Sequence, residues 1–130
     1  MVQVGLEPPA SIAPCVRTKA LVRRIPDTVL APDVAVVTAE RLDAAADAFL
    51  EGAPDVAIEV LSVGNTMVEM ERKLRLYFAG GARSVWLVDP EARVVILYRS
   101  LRERDVFGES DSLVDPALPG FTVGVGSLFR

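Results

Sequence analysis

The sequence predicts an α/β or α+β fold: a mixed sheet of about five to seven strands with one principal helix packed on it, over residues 66–79. Three observations carry this. Short apolar runs bounded by Pro, Gly and Asp recur at 33–37, 55–61, 84–88 and 93–99. The stretch 66–79 has helix signals at both ends and an apolar stripe between them. That helix lies between the runs 55–61 and 84–88, which makes a βαβ unit; its strands are expected to be parallel and its crossover right-handed.

Along the chain, residues 1–16 read as irregular, because Pro8, Pro9 and Pro14 interrupt any regular element. RTKALVRRI, 17–25, reads as a first strand with an exposed end at Arg23-Arg24, and Pro26-Asp27 as a turn. DVAVV, 33–37, is a short strand that Pro32 holds extended at its entry. The alanine-rich stretch 38–50 predicts one or two helical turns inside a loop. In the central strand, 55–61, period-two alternation puts Asp55, Ala57, Glu59 and Leu61 on one face and Val56, Ile58 and Val60 on the other. Apolar residues on both faces predict a strand buried between layers.

Thr66 and Glu69 then form a capping-box pattern at the start of the helix. Met67, Met70, Leu74, Tyr77 and Phe78 make its apolar stripe, Arg72 and Arg75 point away, and Lys73 flanks the stripe beside Met70 and Tyr77. Gly80-Gly81 end it. SVWLV and RVVILYR form a hairpin about Asp89-Pro90-Glu91-Ala92, and 102–107 adds an edge strand. The remainder is turn-rich, with one last apolar segment at 121–125.

The 130 residues fit one domain, 1–130, and 51% hydrophobic content predicts a packed core. No apolar run is long enough to cross a bilayer, no signal peptide is visible, and the lone Cys15 has no internal disulfide partner. The expected compartment is the cytoplasm. A net charge of −4 argues against nucleic-acid binding through a broad basic surface. With no histidine, Ser/His/Asp and Cys/His catalysis and histidine-ligated zinc are excluded. A metal site here is built from oxygen ligands, which suits magnesium, manganese or calcium.

The chemistry centres on Glu59, a carboxylate inside a buried strand. Losing its hydration is costly unless a cation compensates: a metal ion, a lysine or an arginine. Asp33 and Glu59 on separate strands can hold Mg2+ or Mn2+, with Lys73 to orient water or neutralise developing charge. Each residue also has a structural role open to it. Asp33 can bond backbone N–H groups at the strand entrance. Glu59 and Lys73 can form a buried ion pair that serves folding alone. Lys73 can reach past the helix edge to water. Glu69 reads as a cap and Asp55 as a turn residue.

PDVAIEVLS, followed by KLRLYFAGGARSVWLVDP and then RVVILYR, resembles a bacterial family known as "putative restriction endonucleases", within the PD-(D/E)XK nuclease superfamily. The resemblance covers about residues 30–125. Pro32-Asp33 is similar to the first metal-binding motif and Glu59-Val60-Leu61 to the second, where an apolar residue replaces the usual lysine. Lys73 stands where that lysine has moved into the helix. The resemblance implies a restriction-endonuclease-like sheet, metal-dependent cleavage of phosphodiester bonds in nucleic acid, DNA or RNA, with Asp33 and Glu59 as ligands, and frequently a homodimer. Ser62-Val63-Gly64 departs from the family's Ser-Pro-Ser turn, and Glu69 replaces an aspartate usual in the early helix. Only 32 residues precede Asp33, so the chain reads as shortened before its first motif, where the family has a helix that often adds a glutamate to the site. The alternative is an inactive nuclease-like domain that acts as a dimeric or partner-binding structural protein.

Overall fold

The computed structural model describes residues 14–18, 22–24, 28–30, 32–38 and 50–129. Its elements in chain order are β1 (Pro14–Thr18), β2 (Val22–Arg24), β3 (Thr28–Leu30), β4 (Val34–Thr38), β5 (Leu50–Glu51) and β6 (Val56–Val60). Helix α1 (Met67–Ala79) follows, then β7 (Ser84–Asp89), β8 (Val94–Tyr98), β9 (Arg104–Phe107), β10 (Ser112–Val114), β11 (Thr122–Gly124) and a 3-10 helix (Val125–Phe129). Among the described residues a six-stranded sheet runs in the order β1-β4-β6-β7-β8-β9, beside a three-stranded sheet β3-β2-β5 and a pair β10-β11.

The central pair β6 and β7 is parallel, joined by α1, and β4 and β8 flank it antiparallel. The sheet is therefore mixed, as the sequence predicts. Period-two alternation sorts its side chains onto two faces. Ala57, Val85, Leu87 and Tyr98 pack under Met70, Leu74 and Tyr77 of α1. Val36, Val56, Trp86, Val95 and Leu97 pack on the other face against Leu113, Leu118 and Val125. Burial on both faces is why β6 and β7 read as almost continuous apolar runs.

Three expectations are corrected. Pro14 does not break the chain but opens β1, an outer strand paired antiparallel with β4. A proline is tolerated there because an edge position need not donate to a ladder. The run 17–25 is not one strand: β1 ends at Thr18, and Val22–Arg24 belongs to the smaller sheet. Met67 leaves the apolar stripe, being 81% exposed. It is the first residue of α1, a full turn short of where the helix meets the sheet at Met70. The helical turns expected within 38–50 fall largely outside the described residues.

The ends of α1 follow their signals. The Thr66 hydroxyl accepts from the Glu69 N–H, and the Glu69 carboxylate accepts from the Thr66 N–H, each at 3.2 Å. At the other end Gly81 has φ +104°, a backbone conformation open to glycine and strained for other residues. Gly80 packs so closely that a Cβ there would lie 3.1 Å from the Cβ of Ala53. The Ala53 N–H donates to the Gly80 carbonyl at 2.9 Å, which ties the C-terminal end of the helix to the chain entering β6.

Candidate active site

The β4–β6 ladder runs from Val36↔Val56 to Val34↔Ile58. Continued by one residue, it sets Asp33 opposite Glu59. Residues opposite each other in an antiparallel pair share a face. The face is the one α1 covers, because Glu59 follows Ala57 by two along β6. The sheet thus presents two carboxylates towards the helix near the C-terminal end of β6.

Their surroundings differ. Glu59 is buried, at 5% exposure, whereas Asp33 is exposed. Asp33 Oδ2 accepts from the Val60 N–H at 2.7 Å, so this carboxylate does bond backbone where the ladder stops. Among the described residues no hydrogen bond is made to its Oδ1. From the helix, Lys73 Nζ lies 3.6 Å from Glu59 Oε2 and the Tyr77 hydroxyl donates to Glu59 Oε1 at 2.5 Å. Lys73 and Tyr77 are one turn apart and therefore reach the sheet side by side. The lysine contact is longer than a direct hydrogen bond, and the lysine side chain keeps 30% of its exposure.

Burial pushes the Glu59 carboxyl above its ordinary value of 4.5; the Tyr77 bond and the Lys73 charge pull it down without cancelling the rise, and the Asp33 charge adds to it. Burial, then the Glu59 carboxylate, pushes the Tyr77 phenol well up, so it stays a neutral donor. Among the described residues Lys73, at 3.6 Å, is the one cation paired with this buried carboxylate, which faces a second acid. A hard divalent cation would suit two acids so placed: it prefers carboxylate oxygens, and Asp33 bonds backbone through only one of its two. Among the described residues no group of three or more Asp, Glu, Cys or His side chains could hold an ion. A cation held by these two acids would complete its shell with water, backbone or substrate oxygens, as magnesium commonly does.

The structure thus brings Asp33, Glu59 and Lys73 together. It keeps Glu69 in the capping box, and the Asp55 carbonyl accepts from the N–H groups of Arg83 and Ser84. Tyr77 is the neighbour that sequence reasoning left in the apolar stripe. Its signal was available: it stands four residues after Lys73, and a buried tyrosine needs an acceptor for its hydroxyl. A groove of about 400 Å³ opens beyond β6, between Leu61, the 62–67 segment and the Asp89–Glu91 turn. Its walls include none of Asp33, Glu59 and Lys73.

A family model described as "Uma2: Putative restriction endonuclease" matches residues 10–126. The chain belongs to the Uma2 family. Among solved structures, the chain is similar to a protein from Anabaena variabilis ATCC 29413, described as a "putative nuclease belonging to DUF820". The two superpose with a TM-score of 0.76 at 21% identity, over 92% of this chain and 70% of that one. At this identity the likeness speaks to the fold, which is nuclease-like. No curated protein matches the chain. No helix among the described residues is long and apolar enough to cross a membrane.

Proposed function

We propose that this Uma2 chain is a metal-dependent endonuclease that hydrolyses phosphodiester bonds of DNA, working in the cytoplasm as a homodimer. The observation that supports it most is the incompletely neutralised Glu59, buried opposite Asp33 and 3.6 Å from Lys73. Asp33 and Glu59 would hold Mg2+ or Mn2+. When bound, the ion would polarise the phosphodiester and lower the pKa of a coordinated water. Asp33, exposed just ahead of β4, would offer the ion the oxygen that Val60 leaves open. Glu59, set in a buried strand, supplies a rigid anchor. Lys73, half in solvent, places a positive charge where the phosphate's negative charge grows.

A second reading rests on the same contacts. Both Glu59 oxygens already have a protein partner, which suits a nuclease-like scaffold without catalysis. The deciding experiment titrates manganese into wild type and Glu59→Ala by calorimetry, then assays plasmid cleavage by both. The nuclease reading expects binding and cleavage that vanish in the variant. Wild-type protein that neither binds manganese nor gains thermal stability from it would support the scaffold. Sedimentation of the wild type tests the dimer.

A further inference from the structure

We propose that Tyr77 is a positioning residue of this site: its hydroxyl occupies Glu59 Oε1 and leaves Oε2, on the Lys73 side, as the oxygen presented to a divalent cation. The inference rests on the metal reading above and adds a residue to it.

The geometry separates the two oxygens. Oε1 receives the Tyr77 hydroxyl at 2.5 Å, whereas Oε2 has Lys73 at 3.6 Å. The first contact is a tight hydrogen bond and the second a looser ion pair. The two donors also differ in how firmly they are held. Tyr77 is 1% exposed and packs with Leu74, Val85 and Tyr98. Its carbonyl accepts from the N–H groups of Gly80 at 3.1 Å and Ala82 at 3.0 Å, at the helix end docked on Ala53. An aromatic ring buried in a close-packed core has little room to move. Lys73 has four rotatable bonds and a partly exposed side chain. The tyrosine is therefore the fixed post against which the carboxylate is set, and the lysine is the adjustable partner. A carboxylate whose Oε1 is engaged by a tight O–H bond offers its freer lone pairs at Oε2. Partners that orient a metal ligand in this way are commonly worth about 10- to 100-fold in metal affinity.

The test is manganese titration calorimetry on the full chain as wild type, Tyr77→Phe, Val85→Ala and Glu59→Ala. Tyr77→Phe keeps the ring and removes the hydroxyl. It is expected to weaken manganese binding about 10- to 100-fold. Val85→Ala, in the same apolar cluster with no polar contact to Glu59, controls for loss of packing and is expected to stay within about threefold of wild type. Equal affinity in Tyr77→Phe and wild type, or equal weakening in Tyr77→Phe and Val85→Ala, overturns the role of Tyr77 while the metal reading stands. Absence of binding in the wild type itself overturns the metal reading, and Tyr77 falls with it. A crystal structure of the wild type with manganese reads the same point without a variant. Manganese on Oε2 with the Tyr77–Oε1 bond kept supports the inference, and manganese on Oε1 with the tyrosine displaced overturns it.

Discussion

Two carboxylates are buried on opposite faces of the same central strands, and they are treated in opposite ways. Asp115, 1% exposed, lies on the face away from the helix. It accepts from the Ser84 hydroxyl at 2.5 Å, the Trp86 indole N–H at 2.8 Å and the Ala117 N–H at 2.8 Å. No cation pairs with it among the described residues. Glu59 receives one hydroxyl and a distant lysine, and it faces a second acid. A buried carboxylate that closes its own hydrogen bonds needs nothing further, and it welds β7 to the 115–118 turn. Glu59, with one hydroxyl and a lysine at 3.6 Å, keeps fewer and looser contacts, and the metal reading proposed above rests on that difference. The count and kind of donors, rather than burial, distinguish the two acids.

Removing each acid should therefore change stability in opposite directions. Asp115→Ala leaves two side-chain donors and one backbone donor without their acceptor. At about 1–3 kcal/mol per unsatisfied buried group, the expected loss is about 4 kcal/mol. Urea denaturation measures it, and manganese affinity of the remaining folded protein should be unchanged. A loss under about 1 kcal/mol would break the comparison, because Asp115 would then not be the tie that its three bonds indicate.

Lys73→Gln should come next. It withdraws the nearest positive charge from Glu59 and is expected to cost about 1–2 kcal/mol in metal-free protein. Added manganese should recover part of that loss if the ion replaces the lysine charge, which a thermal melt with and without the metal reads directly.

Much of this site was legible in the sequence, and the reason is local. Glu59 stands out as a charge inside VAIEV because strand alternation forces it onto a buried face whatever the rest of the chain does. Thr66 and Glu69 announce the helix start because the capping box closes within four residues. What could not be read depends on register between distant segments. That Asp33 faces Glu59 follows from Val34↔Ile58, a pairing no local pattern specifies. Asp115 lies in a stretch that reads only as turn-rich, since its partners Ser84 and Trp86 are 31 and 29 positions away in sequence. Pro14 was read by its local effect as a breaker, and its place on an outer strand is a property of the whole sheet.

Glu59→Gln should have a smaller effect, of the opposite sign to Asp115→Ala. The folded protein holds the Glu59 carboxyl above its ordinary 4.5, so the native state keeps its proton to higher pH than the unfolded chain does. The contribution to stability is therefore fully present below about pH 4.5 and is lost as pH rises through the folded value. At neutral pH the ionised form is a net burden, and glutamine, which can still accept from Tyr77, should hold stability level or raise it. Denaturation of metal-free wild type and variant across this pH range should give curves that diverge, the wild type falling and the variant flat by comparison. Parallel curves would mean that Lys73 and Tyr77 already satisfy Glu59, and the contrast with Asp115 would collapse.

The smallest effect is expected where geometry alone would suggest the same as at Lys73. On the same helix Arg75 reaches Glu71 at 3.5 Å, nearly the Lys73–Glu59 separation. Both side chains of that pair are about two-thirds exposed, at 68% and 66%, so water screens them and either can leave the other at little cost. Arg75→Gln should cost under about 0.5 kcal/mol and leave manganese affinity alone. Measured beside Lys73→Gln, it isolates environment from distance. If the two variants lose equal stability, burial of Glu59 adds nothing to the lysine's contribution, and the pair is an ordinary surface contact. If Lys73→Gln loses several times more, the acid is one that the fold has placed out of water and left short of charge, and the shortfall is what a bound cation would fill.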